Sequence, residues 1–152
     1  MQSIIYKGPG KFAIEDRPKP IIKKADDVMI KVLGVCICGT DINIFATPQK
    51  HPSRPGIIFG HEFCGQVVEV GEAVTSLKPG DKVIVDPHGP CGYCDACRAG
   101  LPEMCKNLYL DEPGLEGQAN AMGVFKDGGL TSYTLVPEKF AYKIAADTPA
   151  EL

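Results

Sequence analysis

A mainly β fold, a barrel or sandwich of short strands with few helices, is what this 152-residue sequence predicts. Two observations carry the expectation. Short apolar segments recur between Gly, Pro and Asp turns, and convincing helical periodicity is scarce.

Residues 2–7 (QSIIYK) and 11–15 (KFAIE) read as two strands around Gly8-Pro9-Gly10. Residues 27–37 alternate at Val28, Ile30 and Val32, as a half-buried strand does. Residues 65–70 (GQVVEV) and 82–86 (KVIVD) are two more, parted by the turn Lys78-Pro79-Gly80-Asp81. Residues 130–136 and 140–144 complete the series. Short helices are expected at Gly39–Phe45 and Asp95–Gly100. At the far end, Thr148 as N-cap, Pro149 at the first helical position and Glu151 at the third make a capping box, so a helix is expected to begin there. That pattern suggests a piece of a longer protein.

Composition limits the function classes. The chain is 44% hydrophobic and 23% charged, normal for one globular domain with its own core. A net charge of −3 with no basic stripe argues against a nucleic-acid partner. No apolar stretch has the length of a membrane span, and MQSIIYKGPGKF lacks a secretory pattern, so a cytoplasmic location is expected. In a reducing compartment clustered thiols serve as metal ligands more often than as disulfides.

Four of the seven cysteines, Cys91, Cys94, Cys97 and Cys105, fall in the stretch CGYCDACRAGLPEMC. Cys-x-x-Cys turns two sulfurs towards one ion. Here three corners come at every third residue, and Cys105 returns to close the fourth. Gly92, Gly100 and Pro102 supply the turns. Four thiolates leave no open coordination position, which describes a structural zinc site. An iron–sulfur cluster is the rival reading of the same spacing.

A second set lies upstream. Cys38 follows a strand in CICGTD, and His61 and Glu62 open another in GHEFCG. Thiolate, imidazole and carboxylate are ligand types that catalytic zinc accepts, with a position left for water or substrate. His61-Glu62 is not the helical His-Glu-x-x-His motif, because Gly65 stands where the second His belongs.

The chain resembles the N-terminal catalytic domain of the zinc-dependent medium-chain alcohol dehydrogenase family. The resemblance rests on Gly60-His61-Glu62-x-x-Gly65 with Gly71 and Val74, on Cys38-Gly39-Thr40-Asp41, and on the 91/94/97/105 cysteines in that order. It implies a GroES-like β-barrel over residues 1–152 carrying a catalytic zinc, normally followed by a Rossmann domain for NAD or NADP. No Gly-x-Gly-x-x-Gly occurs in the sequence, so that half is expected to lie outside it.

By the same resemblance, Cys38 and His61 coordinate the catalytic zinc, and Glu62 is a third ligand or a nearby carboxylate. Zinc acts as a Lewis acid on an alcohol or polyol while hydride passes to the nicotinamide. Thr40 hydrogen-bonds the substrate oxygen, and Asp41 accepts from the far nitrogen of His61. Many relatives place a proton-accepting His where this chain has Asn43, so the outer proton path must differ. The substrate is expected to be a small alcohol or polyol, the metal content two zincs per full-length chain, and the full-length protein a homo-oligomer. Cys36 and Cys64 are expected in the core, and His51 and His88 in solvated loops.

Two other functions are weighed against this one. A stand-alone zinc-binding GroES-like module acting in assembly explains the four cysteines but not Cys38, Thr40, Asp41, His61 and Glu62. A zinc-free quinone reductase relative has no use for either ligand set.

Overall fold

The computed structural model describes residues 1–110 and 113–150. Its strands are β1 (Gln2–Gly8), β2 (Lys11–Asp16), β3 (Asp27–Cys36), β4 (Glu62–Val70), β5 (Lys82–Val85), β6 (Tyr133–Pro137) and β7 (Ala141–Lys143). Two α-helices join them, α1 (Gly39–Phe45) and α2 (Asp95–Arg98), with short 3-10 turns at Pro102–Met104, Lys106–Leu108 and Glu138–Phe140.

β1 and β2 form an antiparallel hairpin that turns through Gly8 and Gly10, both at positive φ, where a side chain would be strained. The other five strands make one antiparallel sheet in the order β6-β3-β4-β5-β7. β1 joins the body through backbone bonds between Ile4 and Leu130, Tyr6 and Ile57, and Phe59 and Ile4. These bonds and the Ser3–Thr131 bridge tie the hairpin to the segments beside the sheet.

The start of β3 departs from simple alternation: Val28, Met29 and Ile30 are all buried. β4 and β6 pair with its two edges, and the burial of three successive residues means that both of its faces are covered there as well. β4 joins the strand that opens at Glu62 to the 65–70 segment, because Glu62 and Phe63 pair with Cys36 and Val35 at the end of β3. β6 begins later, at Tyr133, since Leu130 is committed to the contact with β1. Thr148 to Ala150 form no helical turn, and Glu151 of the expected capping box lies outside the described residues.

Two apolar clusters hold the molecule together. One fills the sheet with Val28, Ile30, Phe63, Val67, Val83 and Val136. The other packs Tyr6, Ile44, Phe59, Val124 and Phe125 between the hairpin, α1 and the long loop before β6. Each fully buried side chain of this size contributes about 1.5–3 kcal/mol. The His61 end of β4 lies where the two clusters meet, since Phe63 belongs to the first and Phe59 to the second.

Candidate metal centres

Cys38 sits just beyond β3 and caps α1. Its Sγ accepts from the Thr40 N–H at 3.3 Å, and the Asp41 carboxylate accepts from the Cys38 N–H at 2.9 Å. This is a reciprocal capping box with sulfur in place of the usual hydroxyl. The cap fixes Cys38, Thr40 and Asp41 relative to one another.

His61 is fixed from the other side. Gly60, with φ +89°, turns the chain into β4, and its carbonyl accepts from the Gly129 N–H at 2.8 Å. A Cβ on Gly123 or Gly128 would collide with that carbonyl, so only glycine lets these segments close over it. The buried His61 ring then meets Cys38, with Nε2 at 2.9 Å from Sγ. Its Nδ1 lies 3.3 Å from Oδ1 of Asp41. Both of those atoms are fully buried and neither has a well-aligned hydrogen bond, so the contact is ionic more than directional. The Asp41 carboxylate holds the His61 pKa up to about 9, against burial and with help from Cys38.

Ligand atoms of Cys38, His61 and Glu62 all lie within 4.8 Å of one another. One ion at bond lengths of about 2.0–2.3 Å can reach all three. The donor set of thiolate, imidazole and carboxylate suits zinc, and exposed Glu62 leaves one side of the cluster open. The orphaned polar pair behind it is what a cation in front would use: Asp41 aligns His61 and raises its basicity.

The lobe after β5 brings Cys91, Cys94, Cys97 and Cys105 together. Sulfur separations are 4.0 Å for Cys91–Cys97, 3.5 Å for Cys94–Cys97 and 3.8 Å for Cys94–Cys105. Four sulfurs held tetrahedrally at about 2.3 Å from one ion stand roughly 3.8 Å apart, so the fit is to a single zinc. An iron–sulfur cluster would hold its cysteines apart by the width of its inorganic core.

Electrostatics prepare this lobe unevenly. Burial opposes ionisation of Cys91, but hydrogen bonds from the Tyr93 N–H, Asn107 and the Cys94 N–H outweigh it and bring the thiol down to about 6. The Cys91 N–H chiefly lowers Cys105, whereas burial pushes Cys97 up to about 11. A divalent cation would supply the charge that lets all four ionise.

Several sequence expectations change here. Cys36 is exposed and Cys64 half-buried, and both line an open cavity of about 350 Å³ with His61 and Glu62. They are not core residues, because β3 and β4 at this end present that face to the opening. Asn43 is exposed on α1 and lines no described cavity near His61. His88 is exposed as expected and His51 is half-buried, and both border, with Thr40 and His61, a smaller cavity of about 140 Å³. Nothing in the spacing of the chain announces that meeting.

Comparison with known proteins gives the same direction. The family description "Alcohol dehydrogenase GroES-like domain" matches residues 24–146. The chain is 38% identical over 144 residues to the starvation-sensing protein RspB of Escherichia coli, covering 95% of this chain and 39% of that protein. It is 40% identical over 129 residues to an L-threonine 3-dehydrogenase of Caldanaerobacter subterraneus, covering 84% of this chain and 34% of the relative. Galactitol-1-phosphate dehydrogenase from Escherichia coli superposes with a TM-score of 0.84 at 28% identity, over 99% of this chain and 40% of that one. The chain therefore spans about 40% or less of the length of these relatives.

Proposed function

Since the chain belongs to the zinc-dependent medium-chain alcohol dehydrogenase family, through its GroES-like domain, we propose that it is the metal-bearing catalytic domain of an oxidoreductase acting on a small alcohol or polyol with NAD or NADP. The observation that carries this is the convergence of Cys38, His61 and Glu62 on a point beside Thr40 and a small cavity. A module serving only assembly has no need of an open ligand set.

When bound, zinc supplies Lewis acidity towards the substrate hydroxyl. The chain's own residues do the rest. Cys38 and His61 hold the ion, with Glu62 as third ligand or neighbouring carboxylate. Asp41 fixes the His61 ring through Nδ1. Thr40, which lines the small cavity, would hydrogen-bond the substrate hydroxyl and relay its proton, giving its own hydrogen to water as it accepts the substrate's. Cys91, Cys94, Cys97 and Cys105 hold a second zinc that keeps the lobe folded.

The hydride acceptor needs a dinucleotide-binding fold, which the 152 residues do not contain as a sequence motif. Beside Asp41, Ile37, Ile42, Phe45 and Phe12 line a shallow, almost wholly apolar hollow of about 560 Å³. That wall is suited to receive such a half. The working enzyme is then a two-domain protein, and a homo-oligomer as its family implies.

Cobalt substituted for zinc tests the reading, because its visible spectrum reports coordination. Two ions per chain are expected, one lost in Cys38→Ser and the other in Cys97→Ser. A short alcohol should perturb only the ion held by Cys38. A site indifferent to every alcohol would overturn the dehydrogenase reading. Mixed with zinc, NAD or NADP and alcohols, the 152-residue chain alone should show no turnover above Cys38→Ser.

A further inference from the structure

We propose that His51 is a specificity-determining residue: it binds a second hydroxyl of the substrate and so makes the site one for neutral diols and polyols. The proposal rests on the dehydrogenase reading above and adds the substrate class to it.

His51 stands in the loop after α1, and that loop is pinned on both sides. The Lys50 N–H donates to the Asn43 carbonyl at 3.0 Å, while the Arg54 N–H and the Ser53 hydroxyl donate to the Val124 carbonyl at 3.0 and 2.7 Å. The ring is half-buried against the 140 Å³ cavity. Its Nδ1 lies 2.7 Å from the Pro52 carbonyl oxygen. A carbonyl can only accept, so Nδ1 carries the hydrogen, and in the neutral ring Nε2 keeps its lone pair. Only Nε2 remains free to address a ligand.

The rest of the cavity sharpens the point. Pro87, Ala119, Ala121, Val124 and Phe125 make its walls apolar, and Thr40 and His61 belong to the metal site. His88 is exposed, with its Nδ1 at 3.2 Å from the Asp86 carboxylate. His51 is therefore the half-buried polar group of this wall that the proposed chemistry does not use. A cavity of about 150 Å³ admits a molecule the size of benzene, so the ligand is short. An alcohol without a second hydroxyl would strip water from Nε2 and leave it unpaired, whereas a diol would pair it. The Asp86 carboxylate beside the cavity disfavours a phosphorylated polyol.

The test compares glycerol with 1-propanol on the zinc-loaded chain, following ¹⁵N-labelled imidazoles by NMR. Both ligands should shift the His61 signals, and glycerol alone should shift Nε2 of His51. His51→Leu should weaken glycerol binding by about two- to tenfold, the worth of one net hydrogen bond, and leave 1-propanol binding equally tight or tighter, since no unpaired Nε2 remains. His51→Gln, which keeps a polar atom, should retain most of the preference. If glycerol shifts His61 but not His51, or if His51→Leu weakens both ligands alike, the proposal fails and the dehydrogenase reading stands. If neither ligand moves His61, that reading fails and takes the proposal with it.

Discussion

The lobe of residues 91–105 and the cleft at Cys38 both gather soft, metal-loving donors, yet they surround them differently. In the lobe every donor is a thiol, two of the four are buried, and the sulfurs face one another at 3.5 to 4.0 Å. In the cleft three unlike donors meet, one of them exposed, and cavities open on both sides of His61. An ion held by all four thiolates would be saturated and serve as a fastener, whereas one held by the cleft's three donors would keep a position open towards the cavity. The lobe has little else to hold it: α2 is only Asp95–Arg98 and buries no residue. The cleft is framed by a capped helix, a central strand pair and a glycine crossing.

The largest effect should come from breaking the lobe. Structural zinc in small domains carries about 10–16 kcal/mol of apparent binding energy, and one missing thiolate forfeits much of it. Cys97→Ser, or a strong chelator, should expose residues 91–105 to proteolysis and rapid amide exchange while β3–β4 stays protected. Loss of protection across the whole sheet would show that the lobe is part of the core and erase the contrast.

An intermediate effect is expected at Asp41. Asp41→Asn leaves an acceptor for the Cys38 N–H but removes the charge behind His61. Zinc at the cleft should bind about 10–100-fold more weakly, the usual cost of losing a partner that orients a ligand. The lobe's ion should be retained. Competition against a zinc-sensitive dye separates the two sites, and equal weakening of both would remove the distinction.

The smallest effect distinguishes the two tasks of Cys38. Cys38→Ser keeps a side chain able to cap α1, so the melting free energy should move by no more than about 0.5 kcal/mol. Cys38→Ala lacks the cap and should cost about 1 kcal/mol. Both should lose the cleft metal. A Ser variant as unstable as the Ala one would mean that the sulfur cap does not stabilise the helix.

Much of this was legible in the sequence, for local reasons. The four-cysteine spacing places its donors in one loop, where the sulfur distances then favour one ion over the rival cluster, and the apolar segments at residues 2–7 and 11–15 pair as strands about their glycine turn. Cys38, Thr40 and Asp41 were legible as a group because they share one helical turn. Illegible features depend on segments far apart in the chain. The exposure of Cys36 and Cys64 depends on which sheet face is left open. His51 and His88 reach Thr40 and His61 only after the loop before β6 has folded behind them.

The seat of His61 has a consequence in time. The lobe's sulfurs are at most 14 residues apart, so its ion can bind as soon as that short stretch leaves the ribosome. His61 is held through the Gly60 carbonyl by Gly129, which is translated much later. If both sets hold zinc as proposed, the lobe's four thiols would be complete before the cleft's, because the cleft needs Gly129 to seat His61.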